Sequence, residues 1–240
     1  TEPDTGRILA LVSKPDFDPN TISEVWDDLV NDSNSSVLVN RATQGLYPPG
    51  STFKILTALE YIRENPLTYQ NYSFNCNGRF TSGEDTIRCF HGTKHGKVDF
   101  TTSFAKSCNS SFANMGLTLS RTSFEDTLSS LYFNQSLPVD LTSNISKVSI
   151  GTSSSDSDLI QTVIGQGTTQ MTPLHLSMIT SMIANHGIMM QPYIIDRVES
   201  ADCNLIKSFS PDSLGQLISE EEADILKNLM IAVVQEGTGT

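Results

Sequence analysis

The sequence lacks both a long hydrophobic run and an excess of positive charge. No stretch of 18 or more apolar residues occurs, so no transmembrane helix is predicted, and the N-terminus has no signal-peptide pattern. With 15 Lys and Arg against 27 Asp and Glu, the formal net charge is −12, so nucleic acids and anionic membrane surfaces would be repelled. The 240 residues, 38% of them hydrophobic, are enough for one large domain or two closely packed lobes.

Cysteine is also scarce, and four cysteines are too few for a disulfide scaffold in a chain of this length. Cys76 and Cys89 are near enough in sequence to close a short loop in an oxidising compartment, and the sequence leaves their pairing open. With His91 and His95 they also have the ligand types of a zinc site. Because their spacing matches no common zinc pattern, we predict neither a metal nor a cofactor.

Several widespread catalytic patterns are absent as well. The chain has no His-Glu-x-x-His, no Gly-x-Ser-x-Gly and no Walker A sequence, so the usual signs of a zinc protease, an α/β hydrolase and a P-loop nucleotidase are missing. Gly165-Gln166-Gly167 is a glycine turn that is too short for a phosphate-binding loop.

Turn and helix signals predict an α/β chain with much helix and few strands. The clearest helix start is Thr172, a favourable N-cap that is followed by Pro173 at the first helical position. Pro66 ends the helix that begins at Ser51, because proline disfavours helix in the residue before it. We predict strands over 8–12 and 193–198, short strands within 67–97, a loop over 151–158, and helices over 51–65, 99–107, 110–119, 123–132, 173–183 and 220–234.

The most informative segment is Tyr47-Pro48-Pro49-Gly50-Ser51-Thr52-Phe53-Lys54, which leads into an apolar helix. The Pro-Pro-Gly turn places Ser51 near a helix N-terminus. Residues three apart share a helix face, so the Ser51 hydroxyl can meet the Lys54 amine. Apolar neighbours and the positive end of the helix dipole both disfavour the charged ammonium. We therefore predict that Lys54 is a base that activates Ser51 as a nucleophile.

The same Ser-x-x-Lys spacing occurs again at Ser103 and Lys106, so the spacing alone is weak evidence. Lys106 lacks the apolar setting, and we interpret the second pair as a helix surface pair. Ser107-Cys108-Asn109 is the second candidate segment, since a further hydroxyl and a carboxamide could relay a proton and hold the lysine. Ser73-Phe74-Asn75 also matches Ser-x-Asn, but the small and apolar residues around Ser107 are typical of a buried helix junction.

Together these segments resemble the transpeptidase domain of penicillin-binding proteins, the serine acyltransferases of bacterial cell-wall synthesis. That family combines Ser-x-x-Lys, Ser-x-Asn and a Lys-Thr-Gly on a strand. The first two motifs are matched by Ser51–Lys54 and Ser107–Asn109. The Arg41-Ala42 dipeptide before Tyr-Pro-Pro-Gly and the lack of an obvious glycosyltransferase region favour a class B protein, which has a single catalytic domain, over class A. The similarity covers nearly the whole chain and includes residues 5–13, 95–96, 165–167, 172–174, 184–187 and 237–239.

The resemblance implies an α/β (α+β) fold of the penicillin-binding transpeptidase and serine β-lactamase type, with a helix-rich lobe and an incomplete antiparallel sheet. Residues 1–240 are expected to be one transpeptidase domain that lacks the first strand and the C-terminal Lys-Thr-Gly strands, since no Lys-Thr-Gly occurs in the chain. In the family that strand supplies one oxyanion-hole amide, and the other would be that of Ser51. Because losing one such donor costs about 10²–10³ in rate, we expect this chain by itself to be inactive or nearly so.

By resemblance the parent protein is expected to be a peptidoglycan D,D-transpeptidase that β-lactams acylate. Ser51 would attack the D-Ala-D-Ala amide, Lys54 would take its proton, Ser107 would help to protonate the leaving amine, and Asn109 would orient Lys54 and the substrate. The implied location is the extracytoplasmic face of the bacterial membrane, with an anchor outside this chain and a glycosyltransferase as partner. A D,D-carboxypeptidase, or a non-catalytic β-lactam sensor or binding module, is the alternative.

Overall fold

Helices dominate the structure, a computed structural model that describes residues 1–32 and 35–239. Short 3₁₀ helices span Gly50–Phe53, Tyr69–Asn71 and Phe90–Gly92. Within the described ranges the α-helices are α1 (Ile22–Asn31), α2 (Lys54–Glu64), α3 (Phe100–Ala105), α4 (Asn109–Gly116), α5 (Arg121–Ser130), α6 (Asp156–Thr162), α7 (Pro173–Ala184) and α8 (Glu220–Glu236).

The strands are short and form antiparallel pairs. β1 pairs with β4, β2 with β3, β5 with β8 and β6 with β7, where the strands are β1 (Ser73–Cys76), β2 (Arg79–Ser82), β3 (Asp85–Arg88), β4 (Gly96–Asp99), β5 (Ile188–Met190), β6 (Arg197–Glu199), β7 (Leu205–Ser208) and β8 (Ser213–Gln216). The prediction of a helix-rich chain is confirmed, and the strands of the described residues form four small antiparallel pairs.

Helix α2 lies at the centre of the hydrophobic core. Every residue from position 54 to position 60 is buried, and the helix contacts α4, α5 and α8. Just before it, the Phe53 ring packs against the rings of Phe124 and Phe133, with centroid distances of 6.2 and 5.8 Å. A helix that is buried over most of its length is held rigidly by packing. The residues at its first turn are therefore held in place by the core.

Local capping signals account for the helix starts that the sequence predicted. The Thr172 side chain accepts a hydrogen bond from the backbone N–H of His175, and Pro173 is the first residue of α7. Asp99 caps α3 in a capping box with Thr102. These contacts lie within one turn of each helix start, which is why sequence alone could find them.

Two predicted strands and one predicted loop differ from the structure. The strand over 8–12 is wrong: Arg7 forms only an isolated bridge with Tyr193, and Leu9 and Val12 are largely exposed. The strand over 193–198 is shorter than predicted, since β6 begins only at residue 197. The loop over 151–158 ends at Ser155, whose side chain caps α6. Helices α1 and α6 were not predicted.

Candidate active site

The turn before Ser51 is fixed by a close approach of two glycines. The Gly50 N–H donates to the Gly165 carbonyl at 2.9 Å. Gly165 has φ +69°, and a Cβ atom there would lie 2.2 Å from the Gly50 carbonyl oxygen, so only glycine fits. Ser51 then lies in the 3₁₀ turn that runs directly into α2, with its side chain exposed. The predicted glycine turn at 165–167 thus supports the segment that carries the candidate nucleophile.

The Lys54 ammonium is surrounded by oxygen atoms from the two candidate segments. Its Nζ donates to the Ser107 carbonyl at 2.8 Å, to Ser107 Oγ at 2.9 Å and to Asn109 Oδ1 at 2.6 Å. Ser51 Oγ lies 3.4 Å from the same nitrogen. The side chain is 2% exposed, and Nζ lies 5.3 Å from the centre of the Phe112 ring. The structure therefore brings all four predicted site residues together.

Burial changes the acid–base behaviour of this lysine. Desolvation lowers the pKa of Lys54 to about 8, although the nearby Cys108 and Cys89 groups act in the opposite direction. A neutral amine is consequently accessible near neutral pH, as a general base requires.

Ser107 occupies a strained connection between α3 and α4. Its φ of +50° lies in the left-handed region, which is unfavourable for a residue with a side chain. In this conformation the Ser107 Oγ donates to Ser51 Oγ at 2.9 Å while it accepts from Lys54. The three polar groups form a continuous hydrogen-bonded chain from Lys54 through Ser107 to Ser51.

Asn109 is the first residue of α4, and its amide is oriented from both ends. Its Nδ2 donates to the Arg88 carbonyl at 3.0 Å, which turns Oδ1 towards Lys54. The Arg88 contact was not foreseen from the sequence, because a backbone carbonyl has no residue-type signal. It ties the end of β3 to the helix that carries Asn109.

A cavity of about 340 Å³ opens over Ser51, Lys54 and Ser107. The residues after α8 reach this region, since the Thr238 N–H donates to the Ala105 carbonyl at 3.1 Å. The exposed Ser51 hydroxyl thus faces a space with both polar and apolar walls. The remaining lining residues are Thr52, Ile55, Phe104, Met230, Val233, Val234 and Thr238.

The structure groups the cysteines and histidines differently from the set that the sequence analysis considered and rejected as a zinc site. Cys76 and Cys89 are free thiols whose sulfur atoms lie 3.6 Å apart. His91 is exposed and lies outside the group, whereas Cys108 joins Cys76, Cys89 and His95. Cys108 was missed as a ligand candidate because it lies inside the Ser107–Asn109 motif, which the sequence analysis interpreted only as a partner of Ser51 and Lys54.

Solved structures share this architecture. The D,D-transpeptidase domain of a peptidoglycan glycosyltransferase from Eggerthella lenta aligns with a TM-score of 0.89 at 29% identity, over 99% of this chain and 60% of that chain. The imipenem acyl-enzyme complex of penicillin-binding protein A from Mycobacterium tuberculosis aligns with a TM-score of 0.86 at 28% identity, over 97% and 55%. The fold is that of a penicillin-binding transpeptidase domain, and the predicted fold class is confirmed.

Sequence comparison agrees with the fold. The family described as "Penicillin binding protein transpeptidase domain" matches residues 1–240, and the chain belongs to this family. The peptidoglycan D,D-transpeptidase PbpA of Mycolicibacterium smegmatis is 29% identical over 98% of the chain and 50% of its own length. The chain therefore spans about half the length of this curated relative. The relatives are class B penicillin-binding proteins, as the resemblance predicted.

None of the helices that the structure describes is both long and apolar enough to cross a membrane. The relatives are named as enzymes of peptidoglycan synthesis, which takes place on the extracytoplasmic side.

Proposed function

We propose that the protein is a peptidoglycan D,D-transpeptidase and that residues 1–240 belong to one transpeptidase domain. The proposal is carried by one observation: the buried Lys54 amine is hydrogen-bonded through Ser107 Oγ to Ser51 Oγ, which faces a cavity. A nucleophile, a desolvated base and a connecting hydroxyl are the groups that acyl transfer through serine needs. The names of the relatives and their acyl-enzyme structures support the same reaction.

The hydrogen-bond chain suggests how Ser51 would be activated. While Lys54 is protonated, donation runs from Lys54 to Ser107 and from Ser107 to Ser51. When Lys54 is neutral, its lone pair accepts from Ser107, and Ser107 in turn accepts the Ser51 proton. Ser51 Oγ can then attack the carbonyl carbon of the D-Ala-D-Ala amide. The base works directly across 3.4 Å or through Ser107.

The same groups would serve the breakdown of the tetrahedral intermediate. Ser107 gives a proton to the leaving amine and recovers one from Lys54, so D-Ala departs and the acyl group remains on Ser51. Asn109 Oδ1 accepts a hydrogen bond from the Lys54 ammonium and holds it within reach of Ser107 throughout the reaction. The backbone N–H of Ser51 stands at the start of a helical turn, where amides lack intrahelical acceptors and can stabilise an oxyanion. An amine from a second stem peptide then takes the acyl group.

Intact-mass analysis of the full-length protein with penicillin tests the proposal. We expect one covalent adduct, mapped by peptide analysis to Ser51, and none in Ser51→Ala. Ser103→Ala is the matched control, because it changes the other Ser-x-x-Lys serine and should keep the adduct. An unmodified wild-type protein, or an adduct that persists in Ser51→Ala, would contradict the assignment.

Product analysis separates the proposed transpeptidase from a D,D-carboxypeptidase. With a D-Ala-D-Ala stem peptide and an added amine acceptor, a transpeptidase yields the amide-linked product, whereas a carboxypeptidase yields only the hydrolysed peptide. A sensor would form the acyl-enzyme without turnover. We further propose that the protein acts at the extracytoplasmic face of the bacterial membrane together with a glycosyltransferase, which co-purification from membranes would test.

A further inference from the structure

Four metal-binding side chains meet directly behind the candidate active site. The Sγ atoms of Cys76, Cys89 and Cys108 and a ring nitrogen of His95 all lie within 4.8 Å of one another. Cys76 ends β1, Cys89 follows β3, His95 precedes β4, and Cys108 caps α4. Four potential ligands, three thiols and one imidazole, come from four separate segments and converge on one point, which local sequence does not explain.

Three contact distances within the group fit a tetrahedral ion. With Zn–S of about 2.3 Å and Zn–N of about 2.0–2.1 Å, tetrahedral geometry puts two sulfurs about 3.8 Å apart and a sulfur and a nitrogen about 3.6 Å apart. The structure has 3.6 Å between Cys76 and Cys89, 3.8 Å between Cys89 and Cys108, and 3.5 Å from Cys76 Sγ to His95 Nδ1.

Each of the three buried sulfur atoms lies close to a polar group of the protein. The three cysteines are at most 2% exposed. The Gly78 N–H points at Cys76 Sγ and the Ser111 N–H at Cys108 Sγ, each at 3.4 Å, and Ser110 Oγ lies 3.2 Å from Cys89 Sγ. Donors of this kind orient and stabilise metal-bound sulfur. A disulfide between two of the cysteines would leave the third thiol and the imidazole without an equivalent role.

We propose that Cys76, Cys89, Cys108 and His95 bind a structural zinc ion. Three thiolates and one imidazole are a soft, closed, four-coordinate set, which suits Zn²⁺ and not Mg²⁺ or Ca²⁺. Each thiol releases its proton to solvent when the ion binds. All four positions are filled by protein atoms, so the ion has a structural role and does not activate water.

The position of Cys108 gives this ion a consequence for the neighbouring site, and this part rests on the proposed function. Cys108 stands between Ser107 and Asn109, the two residues that hold Lys54. A bond from Cys108 to the ion would lock the turn in which Ser107 takes its left-handed conformation. The same ion would also hold Cys89, which directly follows Arg88, and the Arg88 carbonyl orients Asn109. The ion is thus inferred to position Ser107 and Asn109.

Metal analysis of the full-length protein, purified without chelator, tests the site without reference to activity. We expect about one zinc per chain, and cobalt exchange should give the visible bands of a tetrahedral thiolate site. Cys76→Ser and His95→Ala should lose the zinc. His91→Ala and Cys203→Ser are matched controls that should keep it, since His91 is exposed outside the group and Cys203 is an exposed free thiol.

A wild-type protein that holds no zinc after incubation with zinc and dialysis overturns the proposal, and so does a mass of 2 Da less with a Cys76–Cys89 disulfide. Should a ligand variant fail to fold, the wild-type stoichiometry and the cobalt spectrum still decide. For the positioning role, removal of zinc should slow penicillin acylation about 10–100-fold, with recovery when zinc is returned. Zinc-free protein that acylates at the full rate refutes that role. Failure of the proposed function would instead abolish acylation in both forms.

Discussion

The chain contains two Ser-x-x-Lys pairs with identical spacing and opposite burial. In the first, Ser51 is exposed to the cavity and Lys54 is buried among oxygen atoms. In the second, Ser103 is fully buried and has no hydrogen-bond partner for its hydroxyl among the described residues, while Lys106 is exposed. The same spacing therefore gives a hydrogen-bonded Ser51 and Lys54 in the first pair and a buried serine with an exposed lysine in the second. Only burial in the right order produces an accessible nucleophile beside a desolvated base.

The opposite burial follows from the position of each pair in its helix. Lys54 is the first residue of α2 and enters the core, where both burial and the helix dipole disfavour its charge. Lys106 follows the last residue of α3, where a cation is favourable and solvent is available. Whether a Ser-x-x-Lys pair supplies a nucleophile and a base therefore depends on the helix end at which the lysine lies and on which of the two side chains is buried.

Replacing each lysine separately should reveal the largest difference between the two pairs. We expect Lys54→Met to lower the rate of penicillin acylation by about 10²–10⁴-fold, since a general base is lost. Lys106→Met should leave the rate within about twofold, as a surface substitution. Stopped-flow acylation with a reporter β-lactam measures both, and thermal unfolding checks that each variant is folded. Equal losses in the two variants would remove the distinction between the pairs.

The glycine contact that supports the first pair is the next test. Gly165→Ala should destabilise the fold by about 3 kcal/mol, because the new Cβ meets the Gly50 carbonyl and the residue has a positive φ. Gly83→Ala is the matched control, with φ +59° and open space around it, and should cost about 1 kcal/mol from conformation alone. Urea unfolding gives both values. If the two substitutions cost the same, the close approach to Gly50 contributes nothing.

The sequence predicted the parts of the site whose geometry is local. Ser51 and Lys54 belong to one helical start, so their contact followed from spacing and from the Pro-Pro-Gly turn. Ser107 and Asn109 were found by their motif and by resemblance, and the 2.6 Å contact between Asn109 and Lys54 crosses 55 positions of sequence. The Arg88 carbonyl that accepts from Asn109 could not be predicted, because every residue type has a backbone carbonyl.

Long-range pairing explains the main errors in the predicted fold. The apolar run at 8–12 has the composition of a strand, but a strand also needs a neighbour, and Arg7 has only the single bridge to Tyr193. The cysteines show the same limit. Spacing in sequence grouped Cys76 and Cys89 with His91, whereas the hairpins and α4 bring in Cys108. Caps could be predicted because their partners lie three residues away.

The two lysines should also differ in their effect on the pH dependence of the acylation rate. The neutral amine is the base, and the pKa of Lys54 is lowered to about 8 by burial, so the active fraction rises as pH increases through 8. We expect the acylation rate to increase about tenfold from pH 7 to pH 9 and then to level off. Lys106→Met should keep this profile, and Lys54→Met should lose it. A wild-type rate that does not change between pH 7 and 9 would contradict the assignment of Lys54 as base.

The smallest effect should come from the start of the helix that carries the second pair. Asp99 caps α3 by accepting from the Thr102 N–H at 2.7 Å, and hydrogen bonds from Thr102 lower the pKa of this carboxyl. Asp99→Ala should cost about 1 kcal/mol at neutral pH, whereas Asp99→Asn, an equally good cap, should cost only a few tenths. Because the folded-state pKa is lowered, the ionised carboxylate's contribution is present above the unfolded pKa and is lost as pH falls through the folded one.

The stability difference between wild type and Asp99→Ala should accordingly narrow in acid, which urea unfolding at several pH values measures. The acylation rate of the folded variant should equal that of wild type, because α3 carries the second pair and none of the four site residues, Ser51, Lys54, Ser107 and Asn109, belongs to it. A slower acylation rate in fully folded Asp99→Ala would show that α3 controls the Ser107 turn. The two Ser-x-x-Lys regions would then be coupled, and burial alone would not separate their roles.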